Sequence, residues 1–321
     1  MRVSEIAIEK WTELCELSQK SGSVFISQPW LELCLPEIKV FAIYDKNEKI
    51  IGAFSVYVRR MGLARYYRNA PFSPHCGLFF RNDAVNPASR NSSTKSTIDA
   101  VAGFLREQPY TLMSLAFPSD IIDMQPFYWR KFKVIPNYTY QISLRQTEEQ
   151  IFANMASERR NDIKKALRDG VESMPCSDGD VIAGLIQKTF QRKNKSTDIA
   201  RVRKIIDAFL QNGNGYAFVS YWNGKPAAVS FVVYDVSNAY YLLGGYDDTN
   251  NHNGAGALSL WNAIKHAQQL NLDIFDFEGS MLTEVEKYFR AFGGQIVPYF
   301  TVNRAGFLTE ILLKYFKRTS F

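Results

Sequence analysis

Cysteine is scarce in this sequence and is not arranged for disulfide or metal chemistry. The 321 residues include only 4 cysteines, at positions 15, 34, 76 and 176, and no two of them form a CxxC pair. A disulfide framework needs a denser set of cysteines in a shorter chain. We therefore expect reduced thiols, as in a cytosolic protein, and no metal site.

Long apolar runs are also missing. No stretch approaches the roughly 20 apolar residues of a membrane-spanning helix. The first six residues, MRVSEI, do not open the apolar core of a signal peptide. These absences argue against membrane insertion and secretion, and they predict a cytoplasmic location.

The composition is that of a globular protein with an excess of positive charge. Hydrophobic residues make up 46% and charged residues 22%, with a formal charge of +6 and a pI near 9.0. That charge favours an anionic ligand such as phosphate, nucleic acid or an acidic lipid surface. The length predicts two domains, and alternating helical and strand patterns predict an α/β or α+β fold with mixed sheets.

Two parts of the chain share a pattern that indicates an internal duplication. Residues 47–57 and 223–233 each consist of a polar turn followed by an apolar strand, and a tyrosine-containing run follows each of them, at 64–68 and 239–243. Few identities match, so two unrelated hairpins are the alternative. We interpret the chain as two copies of one mixed unit.

The join between the copies is predicted near residues 137–147. An alternating strand there precedes Thr147, which forms a capping box with Gln150 and opens a new helix. We therefore divide the chain into residues 1–145 and 146–304, followed by a C-terminal amphipathic helix at 305–321.

That last helix has two possible roles. Its broad apolar face is typical of a helix that docks on a core, here that of the N-terminal domain. A basic amphipathic tail can also lie on a membrane surface, which would make the protein a peripheral membrane partner. The apolar face consists of Phe307, Leu308, Ile311, Leu312, Tyr315 and Phe316.

The densest group of ionisable side chains lies beside a glycine turn late in the chain. In a strand, Asp276 and Glu278 emerge on the same face, just where the strand ends. The next helix is predicted to begin with a capping box formed by Thr283 and Glu286. It carries two cations one turn apart, Lys287 and Arg290.

An arginine interrupts the apolar stripe of a helix that follows Met155. Arg159 stands where the helical pattern expects an apolar residue. A guanidinium that points inward needs a partner, which can be a structural carboxylate or a bound phosphate. Lys164 lies on a neighbouring face that favours a solvated surface.

Two further segments could hold an anion. Residues 188–204 contain seven basic side chains and one acid, and they form either a phosphate-binding patch or a solvated basic loop. Residues 244–261 read as a strand end, a polar loop and a helix that opens on glycines, which is a candidate anion cradle. His252 in this loop is predicted to be a surface histidine. His75 and Cys76 are adjacent and are not expected to form a nucleophilic pair.

Several motifs occur together in an order that resembles the FemAB/FemX family, within the GNAT acyltransferase superfamily. The likeness covers about half of the chain, and residues 25–30 extend it weakly to the N-terminal part. The segments that carry it are 157–166, 240–245, 258–263, 275–280 and 287–294.

This resemblance implies two tandem GNAT-like domains with a cleft between them, and transfer of an acyl or aminoacyl group to an amine. Family members take the group from aminoacyl-tRNA, to extend peptidoglycan cross-bridges, and members of the wider superfamily take it from acyl-CoA. Residues 251–256 partly match the GNAT pyrophosphate loop Q/R-x-x-G-x-G/A, although Asn251 replaces its first residue. No tightly bound cofactor is implied, and acyl-CoA would act as a donor substrate.

Our hypothesis assigns roles on this basis. Asp276 or Glu278 positions the amine or acts as its base, although an ordinary carboxylate is a poor base for an amine unless burial raises its pKa. Gly254, Ala255 and Gly256 hold the donor. Substrate or phosphate binding is assigned to Arg159, Lys164, Lys287, Arg290, Ser280 and Tyr246. The rival hypothesis is a non-catalytic duplicated scaffold that binds tRNA or a nucleotide-linked precursor.

Overall fold

A computed structural model of the chain describes residues 1–10, 14, 23–192, 197–279 and 281–316. Its internal contacts divide the chain into two units. Unit 1 comprises Met1–Asn137 and Pro298–Phe321, and unit 2 comprises Tyr138–Val297. The sequence had instead suggested boundaries after residues 145 and 304. The contact boundaries fall inside two strands, β7 (Lys133–Ser143) and β13 (Gln295–Ala305).

Unit 1 is a mixed sheet with helices. Its strands are β1 (Arg2–Ile6), β2 (Ile38–Tyr44), β3 (Ile50–Met61), β4 (Ala64–Arg68), β5 (Phe79–Phe80) and β6 (Leu112–Ala116). Its helices are α1 (Gln28–Glu32), α2 (Pro87–Arg106) and α3 (Gln125–Trp129), to which the C-terminal helix α10 (Phe307–Phe316) is added. From β1 to β4, each strand pairs antiparallel with the next one along the chain, and β4 then pairs parallel with β6.

Helix α2 shows why this layer forms. Asn86 caps the helix by accepting a hydrogen bond from the Ser89 amide, and Pro87 occupies its first turn. The second half of α2 buries a stripe against the sheet core. The buried stripe consists of Ile98, Val101, Ala102 and Leu105.

Unit 2 repeats this plan. Its strands are the end of β7, β8 (Glu172–Pro175), β9 (Gly215–Trp222), β10 (Lys225–Tyr234), β11 (Asn238–Tyr246) and β12 (Ile274–Asp276). Its helices are α4 (Glu148–Asn154), α5 (Ser157–Arg168), α6 (Gly179–Arg192), α7 (Ile199–Gln211), α8 (Ala255–Gln269) and α9 (Thr283–Arg290). Strands β8 to β11 pair antiparallel in sequence, β11 pairs parallel with β12, and β12 pairs antiparallel with β7.

The two units therefore share one succession of elements. An antiparallel run, β2-β3-β4 or β9-β10-β11, is followed by a helix and then by a strand parallel to the last of the run. The predicted mixed α/β architecture is confirmed. The shared succession also agrees with the duplication inferred from the two turn-and-strand segments.

The two predicted capping boxes have different outcomes. Thr147 forms one with Gln150, with both reciprocal hydrogen bonds present. The box predicted for Thr283 and Glu286 is wrong, because α9 begins at Thr283 and Leu282 is its N-cap residue without a side-chain hydrogen bond. The Glu286 carboxylate instead accepts a hydrogen bond from Tyr140 and pairs with Arg290.

The sequence predicts that helix α10 docks its apolar face on a core, but the structure leaves this face unburied. None of its residues is buried. In the described part of the chain, no helix combines the length and the apolar character needed to cross a bilayer.

Candidate functional site

Two parallel strands of unit 2 separate at their carboxyl ends. Strands β11 and β12 pair only over Asn238–Tyr240 and Ile274–Asp276, and β11 then continues to Tyr246 while β12 ends. We call this separation the strand fork. The carboxyl ends of parallel strands are the usual place for a ligand in α/β proteins. Beyond Tyr246, the end of β11, the chain enters the loop that leads into α8.

Asp276, at the end of β12, is buried and accepts three hydrogen bonds. They come from Thr139 Oγ1 at 2.5 Å, Gln141 Nε2 at 2.7 Å and the Glu278 amide at 2.8 Å. Burial raises the pKa of Asp276, and these donors act in the opposite direction. With its oxygens engaged, Asp276 is suited to holding the end of β12 and its neighbours in position.

Glu278, the second of the two predicted carboxyl groups, is half-buried. Burial raises its pKa well above the usual range, and the nearby charges of Asp276 and Asp235 act in the same direction. Its backbone is left-handed, with φ of +61°, as is that of Gly279, with φ of +67°. A Cβ at Gly279 would lie 2.3 Å from the Tyr138 carbonyl oxygen, so only glycine fits there. A raised pKa makes Glu278 a stronger base than an ordinary carboxylate.

Arg159 is buried and has protein partners. Its Nη1 donates to Asp162 Oδ2 at 2.9 Å, and its guanidinium lies 4.2 Å from the Tyr288 ring centre and 5.2 Å from that of Phe292. A structural carboxylate is therefore one of its contacts. Its Nε is buried without a hydrogen-bond partner. The stacking of the guanidinium on the Tyr288 ring connects α5 with α9. Burial of Tyr288 raises its pKa to about 12.

The glycines that open α8 have different surroundings. A Cβ at Gly254 would lie 2.2 Å from the Asp162 carbonyl oxygen and 2.8 Å from the Ala166 Cβ, so Gly254 allows α8 to pack closely on α5. A Cβ at Gly256 would have only the Tyr288 hydroxyl nearby, at 3.5 Å. Ala255, between them, is fully buried. Helix packing therefore explains Gly254, whereas it does not require a glycine at position 256.

His252 is not the surface histidine that the sequence predicted. It is buried because its ring packs 4.9 Å from that of Trp222 and its Nε2 lies 3.2 Å from Asp169 Oδ2. Its Nδ1 accepts the Gly254 amide at 3.1 Å, and its carbonyl oxygen accepts the Ala255 amide at 2.9 Å. Two amides of the predicted anion cradle thus bond to the loop itself.

The remaining predicted binding residues lie on the surface or near it. Lys164 is exposed, 5.9 Å from the Phe152 ring centre. Lys287 is exposed as well, and Arg290 Nε pairs with Glu286 at 2.9 Å. Tyr246 is half-buried beneath the guanidinium of Arg192. Ser280 lies outside the described residues.

Sequence reasoning missed a buried polar group beside the fork. The hydroxyl of Tyr241 occupies the space of a Cβ at Gly244, 1.9 Å from its ideal position, and burial raises the pKa of Tyr241. Ser230 contacts Tyr241 and lies 2.9 Å from Ser259 on α8. The signal in the sequence was the glycine three residues after a strand tyrosine, which makes room for the phenol.

Lys188 and Arg203 of the basic segment 188–204 pair with carboxylates from other parts of unit 2. Lys188 pairs with Asp247 at 2.5 Å, and Arg203 pairs with Asp207 at 2.8 Å and also with Asp180. Residues 193–196 lie outside the described residues. These ion pairs give Lys188 and Arg203 a structural role, and a phosphate-binding patch or a solvated loop stays a prediction for the rest of the segment.

Of the adjacent His75 and Cys76 in unit 1, Cys76 is buried and His75 is half-buried. Burial lowers the pKa of His75 to about 3 and raises that of Cys76 to about 12. A thiol with that pKa is not ionised near neutral pH, so the expectation of an unreactive pair agrees with the structure.

Comparisons with known proteins agree with this geometry. Residues 157–290 match the family model described as an acetyltransferase (GNAT) domain. No curated protein sequence matches the chain. A crystal structure of FemX superposes with a TM-score of 0.68 at 12% identity, covering 98% of this chain and 99% of that one.

Two other solved structures are similar over nearly the whole chain. One is the C-terminal domain of a putative lysylphosphatidylglycerol synthetase from Agrobacterium fabrum, with a TM-score of 0.59, 8% identity and coverage of 96% and 97%. The other is a tandem GNAT protein from the clavulanic acid biosynthesis pathway, with a TM-score of 0.55, 10% identity and coverage of 95% and 98%. At these identities the likeness shows a shared fold.

Proposed function

We propose that this chain is a FemAB/FemX-like N-acyltransferase or aminoacyltransferase of the GNAT superfamily, and that it joins the donor to an amine at the strand fork; the GNAT domain match over residues 157–290 and the fold shared with FemX and a tandem GNAT protein support this. The observation that carries this proposal is the pair of carboxyl groups at the end of β12. Glu278 has a raised pKa, and Asp276 holds the adjacent backbone through the Glu278 amide.

In the proposed step, the nitrogen of the acceptor amine attacks the carbonyl carbon of an activated ester or thioester. A C–N bond forms, the C–O or C–S bond of the donor breaks, and the leaving oxygen or sulfur departs with the bond electrons. Glu278 takes a proton from the amine, which keeps the nitrogen nucleophilic. Asp276 fixes the position of Glu278, so that base and amine are held close together.

Two observations favour an aminoacyl ester over acyl-CoA as the donor. Asn251 replaces the first residue of the pyrophosphate loop of GNAT enzymes. The amides of Gly254 and Ala255, which would contact a pyrophosphate, already bond to His252. Gly256 has free space beside it, with only the Tyr288 hydroxyl near the position of a Cβ, so a donor could approach the backbone there.

The acceptor that we propose is an amine of a cell-envelope precursor. The shared fold with FemX and with a putative lysylphosphatidylglycerol synthetase domain supports this choice. The alternative function is a duplicated scaffold that holds tRNA or a nucleotide-linked precursor without transferring a group.

The test is a transfer assay with two donor arms. The purified chain is incubated with a nucleotide-linked muropeptide and either charged tRNA or acetyl-CoA, and the product is detected by mass. Growth of the peptide mass by one aminoacyl residue in the tRNA arm supports the proposal. An acetylated product alone overturns the choice of donor, and binding of both substrates without any product establishes the scaffold function.

A further inference from the structure

Helix α10 exposes its apolar face and directs its more polar side toward unit 1. The residues that are only partly exposed are Thr309, Glu310 and Leu313. At 100° per residue, these three lie opposite the centre of the apolar face. The apolar face consists of Phe307, exposed by 79%, Leu308 by 76%, Ile311 by 51%, Leu312 by 61%, Tyr315 by 80% and Phe316 by 76%.

A positively charged cavity lies beside this helix, within unit 1. Its volume is about 490 Å³, and its lining includes Tyr128 and three lysines, Lys131, Lys133 and Lys314. Glu310 also lines it, but Lys314 Nζ pairs with that carboxylate at 2.8 Å. Lys131 and Lys133 are exposed, and among the described residues neither forms an ion pair. The cavity therefore keeps two uncompensated positive charges.

We propose that α10 and this cavity form a binding site for an anionic phospholipid membrane. The six apolar side chains enter the boundary between headgroups and acyl chains, and Lys131 and Lys133 contact lipid phosphates. Aromatic residues favour exactly that boundary, and α10 contributes three of them, Phe307, Tyr315 and Phe316. The sequence adds two more basic residues directly after the helix, Lys317 and Arg318. This inference does not rest on the transfer reaction.

Charge favours a membrane over a second copy of the chain. A two-fold dimer through this surface would place the same patch against itself. Lys131 and Lys133 of one copy would then approach those of the other, and Glu310, the acid among the described residues that line the cavity, is already paired with Lys314. An anionic lipid surface instead supplies a negative charge for each lysine.

The experiment is co-sedimentation of the full chain with phosphatidylglycerol vesicles and with phosphatidylcholine vesicles. We expect binding to the anionic vesicles only, weakened by salt. The double variant Lys131→Gln, Lys133→Gln should bind about 25-fold more weakly, since each lysine near an anionic surface contributes about a five-fold factor. The double variant Leu308→Ser, Leu312→Ser should lose more than about 10-fold. The matched control is Leu63→Ser, which changes a fully exposed leucine elsewhere in unit 1 and should bind normally.

All these side chains are exposed, so the variants should keep the thermal unfolding temperature of the parent. Failure of the parent to bind anionic vesicles overturns the proposal. Equal binding by the Leu308→Ser, Leu312→Ser variant overturns the role of α10. A concentration-dependent dimer without lipid, abolished by that same variant, assigns the apolar face to a second copy and overturns the membrane site.

Discussion

At Glu278, a left-handed backbone and a half-buried carboxyl group with a raised pKa coincide in one residue. A non-glycine residue with φ of +61° is uncommon, and such a conformation persists only where the surroundings impose it. Here the hydrogen bond from its amide to Asp276 and the turn at Gly279 impose it.

Replacing Glu278 by Gln should lower kcat by about 10²–10⁴, because the base is lost while the side chain keeps its size. The pKa of Glu278 is raised by burial and by the charges of Asp276 and Asp235, so the parent should lose activity as the pH falls through that raised pKa. The variant should lack this acidic limb in a kcat/KM profile. The control is Glu284→Gln, in the exposed first turn of α9, which should keep the parent profile. A parent-like profile in Glu278→Gln would exclude Glu278 as the base.

The two glycines of α8 allow a matched test of packing. Gly254→Ala should lower the free energy of unfolding by about 1–3 kcal/mol, because its Cβ would collide with the Asp162 carbonyl oxygen of α5. Gly256→Ala should be neutral or stabilising by up to about 1 kcal/mol, since space is available and alanine favours helix. Denaturant unfolding measures both. Equal losses would show that α8 does not pack on α5 through Gly254.

At the scale of elements, the starts of two helices show how local and tertiary hydrogen bonds compete for the same side chain. Thr147 and Gln150 satisfy each other's backbone amides, so local chemistry alone defines the start of α4. Helix α9 has a similar pattern of residue types, but the Glu286 carboxylate accepts a hydrogen bond from Tyr140 and pairs with Arg290. A tertiary partner has replaced the local one, and the helix begins one residue earlier relative to its threonine.

This difference predicts unequal costs for the same substitution. Thr147→Ala should lower the free energy of unfolding by about 1 kcal/mol, the usual value of an N-cap hydrogen bond. Thr283→Ala should change it by less than about 0.5 kcal/mol, as expected of an exposed residue without such a bond. Thermal unfolding of both variants provides the comparison. A loss at Thr283 as large as that at Thr147 would mean that α9 is capped by this threonine in solution.

Across the described part of the molecule, part of the basic charge is paired with carboxylates. Asp247 is the most buried carboxylate of these pairs, and hydrogen bonds from Lys188 hold its pKa at about 2, with help from Thr249. Its folded-state pKa is below that of an unfolded aspartate. It therefore stabilises the fold above the unfolded pKa, and this contribution is lost as the pH falls through the folded one.

Stability should accordingly decline between about pH 4 and pH 2, the window between the unfolded and folded pKa values of Asp247. Asp247→Asn should be less stable than the parent at neutral pH and should show a shallower decline in that window. The control is Asp248→Asn, an exposed neighbour that should keep the parent slope. Denaturant unfolding at a series of pH values measures these slopes, and equal slopes in all three proteins would refute the role of the Lys188 pair.

Much of the fold was predictable because its signals are local. The turn and strand that form β10, the capping box at Thr147 and the glycine-opened helix α8 each depend on residues close in sequence. The ordered motifs between residues 157 and 294 led to the GNAT acyltransferases, which the family match and the tandem fold support. The strand predicted to carry both Asp276 and Glu278 ends at Asp276, because Glu278 and Gly279 have left-handed backbones, so the two-residue period of a strand does not apply to Glu278.

Burial and long-range partners could not be predicted in the same way. The sequence around His252 is polar, yet Trp222 and Asp169 enclose it. Nothing near Tyr241 in the sequence identifies Ser230 on the neighbouring strand, or Ser259 on α8, as its polar surroundings. These contacts depend on which elements meet, and that is a property of the packed chain.

The sequence by itself determined the mixed α/β units and their repeated plan, because side-chain period and local hydrogen bonding act over a few residues; it also carried the GNAT domain pattern that residues 157–290 match. Only the tertiary structure decided which carboxyl groups have shifted pKa values. Glu278 and Asp276 differ from exposed acids through burial, and Asp247 differs from them through Lys188. The same holds for α10, whose apolar stripe is evident in the sequence but whose outward direction depends on the side that contacts unit 1.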